Sequence, residues 1–483
     1  MKAWGRRVTL GLAAVFLFSL ARTSRSVPAA LAFTHVTLID TAGGLARPDQ
    51  TVVISGGKIL AVGASGAVRP PKGARIIDSS GKFLIPGLWD MHVHIAGINA
   101  DPAWSKNVVL PELVASGITG VRDMGGDLEV LEAWRREILN GTLTGPHIVA
   151  GGPMLVPRGP KSAEQYPVAN ADQARAAVKE LKLRGADFIK VIGMPSRDAF
   201  FAVADEAGKQ GLPFVGHVPA VVTAAEASDR GMRSIEHIVY SGLALDCSSR
   251  EEELRKTILD ARAKGDANQS TEALSDAVDS FSAEKADRLW ARFKKNGTWV
   301  VPTLYSISQQ VTPEQQAQDP GLDFVPAALR EEWDPRAAKN QASREERAWW
   351  TKQFANDLKL AAAMHKAGVS MLAGSDSLDR FVFPGSSLHR ELEMLGEAGF
   401  TPLEALQSAT RDAARFLGRE EEFGSVRVGA QADVVLLEAN PIDNIANAGK
   451  INAVVLEGVL FDRASLDALL TEAKAAAKAV RAK

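Results

Sequence analysis

With 483 residues, 46% of them hydrophobic and 24% charged, the chain is long enough to bury a substantial core and to hold more than one structural unit. Its formal net charge of -2 gives no global electrostatic case for nucleic-acid binding. The single cysteine, Cys247, excludes an intrachain disulfide and a cysteine-based zinc site.

Lys2, Arg6 and Arg7 precede an apolar run from Val8 to Leu20, a pattern that suits a signal peptide and is short for a membrane-spanning helix. Residues 1–32 are therefore expected to be an export signal, cut after Ala21, Ser26 or Ala32, with an uncleaved anchor as the alternative. The pair Arg6-Arg7 also admits a twin-arginine route. The expected location is secreted or periplasmic, with no stable membrane association once the signal is gone.

Short β runs follow at Phe33–Asp40, Thr51–Ser55, Lys58–Gly63, Arg75–Asp78 and Lys82–Leu84, with Gly56-Gly57 as a hairpin signal. From Pro86 the pattern changes to strand followed by helix, repeated. The predicted strands are Trp89–His94, Gly120–Asp123, His147–Gly151, Phe188–Ile192, Phe214–His217, Ser234–His237, Trp299–Thr303 and Ser370–Gly374. Eight such strands separated by helices predict an α/β fold, a (β/α)8 TIM-like barrel over residues 86–417. The charged stretch Ser248–Asp287 reads as a helical insertion on the rim or a lid. β runs resume at Ser425–Val428, Ala432–Glu438, Ala453–Leu456 and Val459–Asp462, before a terminal helix over residues 464–483.

Within the first barrel strand, His92 and His94 stand two residues apart, so both point to one face and both can reach one metal. Two ordinary strand histidines would share that spacing. The pair gains weight from Lys190, His217, His237 and Asp376, each at or near the C-terminal end of a short apolar run. Four of the chain's 8 histidines fall in this set. In a (β/α)8 barrel the strand C-termini are where functional groups gather, so one shared site is expected.

The motifs Pro86-Gly87-Leu88-Trp89-Asp90-Met91-His92-Val93-His94, Gly117 to Gly126, Lys190, His217, His237 and Gly374-Ser375-Asp376 closely resemble the metal-dependent amidohydrolase superfamily. Within it they resemble the branch of imidazolonepropionase-like proteins and prolidase-like dipeptidases. The resemblance runs from about Phe33 to Asp462 and is specific as to superfamily, much less so as to substrate. It implies a small discontinuous β-sandwich, residues 33–85 with 418–463, beside the barrel. It also implies that Lys190 carries a carbamate bridging two divalent ions, one held by His92, His94 and Asp376 and the other by His217 and His237. Zinc is the expected metal. Water activated between such ions attacks near neutral pH, and Asp376 then passes its proton to the leaving nitrogen.

Arg158, in the loop after the third barrel strand, is a candidate clamp for a substrate carboxylate, with a surface arginine as the alternative. Tyr240, one of only 3 tyrosines, is a candidate donor to an oxyanion or a packing residue. His147, His365 and His389 read as structural. The expected function is an exported metal-dependent hydrolase of an amide-type C–N bond in a small molecule, a dipeptide or N-acyl amino acid, with a homo-oligomer left open as the assembly. The alternatives are a one-metal hydrolase of cyclic amides or deaminase of heterocycles, and a metal-binding module that has lost catalysis.

Overall fold

The computed structural model describes residues 30–97, 101–311, 319–334, 336–337 and 340–480. The expected export signal therefore lies outside the described residues as far as position 29. Five strands open the described chain: β1 (Leu31–Asp40), β2 (Leu45–Ser55), β3 (Lys58–Ala64), β4 (Arg75–Asp78) and β5 (Phe83–Pro86). Gly56 and Gly57 turn β2 into β3 with φ of 57° and 74°, a left-handed pair of residues that suits a two-residue hairpin and disfavours any Cβ.

Nine short strands follow: β6 (Leu88–Val93), β7 (Ile118–Asp123), β8 (His147–Ala150), β9 (Met154–Val156), β10 (Gln165–Pro167), β11 (Ile189–Val191), β12 (Phe214–Gly216), β13 (Ser234–Glu236) and β14 (Trp299–Val301). All their pairings are parallel, in the orders β6-β7-β8 and β10-β9-β11-β12-β13-β14. Helices separate most of them, and the buried Val, Ile and Leu of the strands pack on those helices in one large core. β9 and β10 are additions to the expected strands. They arise where the chain after β8 folds back to lie beside β11, Leu155 opposite Val191.

The segment Ser370–Gly374, expected as the eighth strand, forms no regular strand. It makes isolated parallel bridges instead, Met371 with Val300 and Ser377 with Val93. Leu372 N–H donates to the Val300 carbonyl and Met91 N–H to the Ala373 carbonyl, both at 3.0 Å. Two features interrupt it. A Cβ on Gly374 would lie 2.6 Å from Val301 and 2.8 Å from the His92 Cβ, so the backbone is pressed onto both neighbours. Asp376 then turns into the left-handed region at φ 63°, leaving the extended path.

The chain ends with β15 (Val434–Leu437), β16 (Ile451–Leu456) and β17 (Val459–Phe461), then a helix over Arg463–Ala479 capped by Asp462. Residues 425–428, expected as a strand, run as bends and coil. β15 pairs antiparallel with β5, giving the order β17-β16-β15-β5-β1-β2-β3 with β4 alongside β1. Both ends of the chain thus share one sheet, whose buried face holds Phe33, Leu38, Val52, Val434 and Val455. Between β13 and β14 the charged stretch folds into helices Glu251–Lys264, Ala267–Asp279 and Ala283–Asn296. Among the described residues no helix is long and apolar enough to cross a membrane.

Candidate metal centre

Alternation along β6 sends His92 and His94 to the same side, where the turn at Asp376 delivers a carboxylate to both. Asp376 Oδ1 lies 3.3 Å from His92 Nε2 and 3.5 Å from His94 Nε2. Suitable ligand atoms of the three residues all lie within 4.8 Å of one another. Lys190, in the middle of β11, brings Nζ to 3.4 Å from His92 Nε2. His237 follows β13, with its ring centroid 4.7 Å from that of His92 and 5.0 Å from that of His217, which follows β12. Its Nδ1 lies 3.8 Å from Asp376 Oδ2. The six residues expected to act together therefore converge on one place.

Behind them stands a buried polar scaffold that the sequence reading did not single out. His92 Nδ1 is 2.9 Å from Glu236 Oε2, and Glu236 is clamped by two Arg122 hydrogen bonds of 2.9 and 3.0 Å. Arg122 also donates to the Met91 carbonyl at 2.7 Å. All four residues are buried, so removing either partner of the Arg122–Glu236 pair leaves a charge uncompensated, at a cost of about 3–5 kcal/mol. A second latch holds Asp376: Asp90 accepts from Ser375 N–H at 2.9 Å, Ser375 Oγ at 2.5 Å and His92 N–H at 3.2 Å. Glu236 was hidden because alternation alone puts it on the face opposite its neighbour His237. Here His237 has φ 58°, so both side chains turn inward. The signal was the Glu-His pair at a strand end.

Burial sets the protonation states. Desolvation, aided by the Lys190 charge, drives His92 and His217 well below the ordinary histidine range, and desolvation brings His237 to about 4. Burial also lowers Lys190 to about 8, and among the described residues no carboxylate forms an ion pair with it. At Asp376 burial pushes upward, but the neighbouring His237, His92 and His94 outweigh it and hold the carboxyl well below the usual range. His92, His217 and His237, neutral beside an ionised carboxylate, are in the state that binds a divalent ion, whereas at His94 burial pulls the pKa down but the Asp376 hydrogen bond and charge outweigh it and raise it. His217 Nε2 is buried without a hydrogen-bond partner among the described residues, as expected of a donor aimed at an ion. The donor set fits a metal.

The centre opens into a cavity of about 340 Å³ lined by His94, Lys190, His217, His237, Tyr240 and Asp376, among others. Tyr240 stacks on His217 at 5.9 Å between centroids and meets His237 edge-on at 5.2 Å. Arg158 lies elsewhere, on an adjoining cavity of about 540 Å³. Of the remaining histidines, His147 is hydrogen-bonded to Asp433, His365 stacks on Phe400, and His389 is hydrogen-bonded to the Ser116 carbonyl.

The family model for the amidohydrolase family matches residues 83–461. The chain belongs to the amidohydrolase family. This amidohydrolase is 26% identical over 448 residues to ochratoxinase from Aspergillus niger, covering 80% of this chain and 77% of that protein. Among solved structures it is similar to a putative prolidase from Bifidobacterium longum, with TM-score 0.66 and 23% identity over 92% of this chain and 99% of the other. It is similar also to bottromycin amidohydrolase, with TM-score 0.71 and 23% identity over 93% and 91%. At such identity these structures speak to the fold alone, the TIM-barrel α/β class with its parallel strands. As an amidohydrolase the protein is an enzyme that hydrolyses carbon–nitrogen bonds.

Proposed function

We propose that this amidohydrolase cleaves the amide bond of a dipeptide or an N-acyl amino acid. The observation that carries the reading is the convergence of His92, His94, Lys190, His217, His237 and Asp376 on one place, all but His92 lining a cavity large enough for a small amide. Two divalent ions are proposed, zinc the expected metal, one on His92, His94 and Asp376 and one on His217 and His237. Lys190, carbamylated, would contribute to holding both. The support for a carbamate is that a buried ammonium with no carboxylate partner is costly, whereas the carbamylated side chain supplies two oxygens to the donor set. Ions held there would supply an activated water nucleophile near neutral pH.

The rest is work for the chain. Water adds to the carbonyl carbon, its proton passes to Asp376, and Asp376 returns that proton to the nitrogen as the C–N bond breaks. Ser306 Oγ donates to Asp376 Oδ2 at 3.3 Å, which orients the carboxylate. Tyr240, on the cavity wall and stacked on His217, donates to the tetrahedral oxygen. Arg158 is proposed to meet an anionic part of the substrate. Membership of the amidohydrolase family supports amide cleavage over heterocycle deamination.

Three structural proposals accompany this reading. The parallel strands close into a barrel through the 371–377 segment, supported by its bridges to β14 and β6. Residues 33–85 and 418–463 form one accessory unit, supported by the pairing of β15 with β5. The protein is exported, and its signal is cut before Ala32, because Leu31 and Ala32 are buried and pair with Ile54 and Val53. The test is to assay a dipeptide and N-acyl amino acid library with metal-reconstituted protein, following ammonia in parallel and counting metal by elemental analysis. Free amino acid release with about two ions per chain supports the reading. Ammonia release with one ion at full activity replaces it with the deaminase alternative.

A further inference from the structure

Beside the metal cavity lies the larger one, of about 540 Å³, and Ile192 and Tyr240 line both. Its floor continues the segments that carry the metal donors. Ile192–Pro195 follow Lys190, Val218–Val222 follow His217, and Val239–Gly242 follow His237. Its far wall is the inserted helix Glu251–Lys264, which presents Arg255, Ile258, Leu259 and Arg262. That i, i+3, i+4, i+7 spacing is one helix face, turned toward the site. The walls are otherwise largely apolar, with Met194, Leu245, Leu274 and Trp349 among them.

The arginines of this cavity are not equivalent. Arg255 is committed to the fold: it donates to Asp246 at 2.6 Å, Glu251 at 3.0 Å and the Val222 carbonyl at 2.9 Å. Asp246, the one carboxylate lining the cavity, is thereby engaged. Arg262, two turns along the same face, and Arg158 on another wall have no ion pair or side-chain hydrogen bond among the described residues. Both are exposed to solvent on the lining of the cavity. Two guanidinium groups with no protein partner among the described residues are available to an anion by charge-assisted hydrogen bonds, while its apolar body rests on the cavity walls.

We propose that this cavity is a substrate subsite for an apolar group ending in an anion, with Arg262 as the specificity-determining residue and Arg158 assisting. The inference rests on amide hydrolysis at the adjoining metal centre. It narrows the substrate to an amide whose bulky apolar half carries a carboxylate or similar charge, the charge reaching past Ile192 and Tyr240 while the amide stays among the histidines. The inserted helices, on this view, form the wall that selects the substrate.

The test compares N-suberoyl-leucine with N-octanoyl-leucine, equal in chain length and different only in the charge at the far end, using metal-loaded parent and Arg262→Met. The parent is expected to favour the suberoyl compound by at least about 10-fold in kcat/KM, the worth of one charge-assisted contact. Arg262→Met should erase that preference by raising KM for the suberoyl compound, with metal content unchanged, and Arg262→Lys should keep part of it. No preference in the parent, or a preference that survives Arg262→Met, overturns the subsite. Calorimetry with 4-phenylbutyrate separates this from failure of the amide reading. If neither amide is hydrolysed but Arg262→Met weakens phenylbutyrate binding at least about 10-fold, the subsite stands and the amide reading falls. If binding is unchanged, the subsite falls too.

Discussion

On the proposed reading Asp376 carries two duties on one carboxylate, holding a metal and moving a proton, and the two make separable demands. The negative charge is secured by His92, His94 and His237 around it, and the position by the Asp90–Ser375 latch one residue earlier. Asp376→Asn keeps the shape but cannot carry the proton, so kcat should fall by at least about 100-fold with a smaller change in KM. Metal content must be measured on the same sample. A variant that keeps its metals and turns over near the parent rate would show that Asp376 is a ligand only. Lys190 poses the complementary question, because its bulk fills a fully buried position whether or not it is carbamylated. Lys190→Ala is expected to lose one of two ions and most activity while remaining folded, and short carboxylic acids should partly restore both by supplying the missing oxygens. Normal metal content and turnover in that variant would leave the lysine as a packing residue.

Among elements, the irregular segment from Met371 to Ser377 decides whether the centre assembles. A regular strand would have sent Ser375 and Asp376 to opposite faces in alternation, whereas the left-handed turn at Asp376 frees its side chain to join β6's histidines while Ser375 bonds to Asp90. Gly374 makes that close approach possible. With a methyl there, Val301 and His92 must move, so Gly374→Ala should cost about 1–3 kcal/mol of stability and lower metal content, since His92 is one of the proposed ligands. Unfolding midpoints and elemental analysis would check this, and unchanged metal occupancy would mean that the packing of Gly374 is irrelevant to the centre. The same segment marks the limit of what the sequence made legible. Hydrophobic runs located β6, β7, β8 and β11 to β14 to within a few residues, because each is a short apolar stretch between turn signals. They also located the candidate ligands, because those side chains sit where apolar runs stop. What stayed hidden depends on tertiary placement. The Glu236–Arg122 clamp joins residues 114 positions apart, β9 is defined by a partner rather than by its own composition, and positive φ at His237 and Asp376 breaks the alternation on which face assignments rest.

At the scale of the whole molecule, the end sheet and the parallel strands are tied by a titratable clasp. His147, opening β8, has Nε2 at 2.8 Å from Asp433 Oδ2, immediately before β15, and Asp433 accepts in addition from the Glu457 N–H at 2.7 Å. Trp89 stacks parallel to the imidazole, and Glu457 approaches its other nitrogen at 3.8 Å. Burial pulls the His147 pKa down, and Arg419 opposes its charge. The Asp433 hydrogen bond with the charges of Asp433 and Glu457 outweighs both, so the group lies above the ordinary histidine value. A pKa raised by folding means that the folded state holds the proton more tightly. The stabilisation is therefore fully present below the unfolded value of about 6.5 and is lost as pH rises through the higher folded value. A hydrogen bond to a charged group contributes about 1.5–3 kcal/mol. His147→Gln should accordingly lower the unfolding midpoint more at pH 6 than at pH 8.5, and Asp433→Asn should show the same pH signature because it removes the other half of the clasp. Both are measured against the parent in the same buffers, so that titration elsewhere cancels. An equal loss at the two pH values would mean that the imidazole is neutral in the folded protein, and that its contribution to joining the two sheets is packing against Trp89 rather than charge.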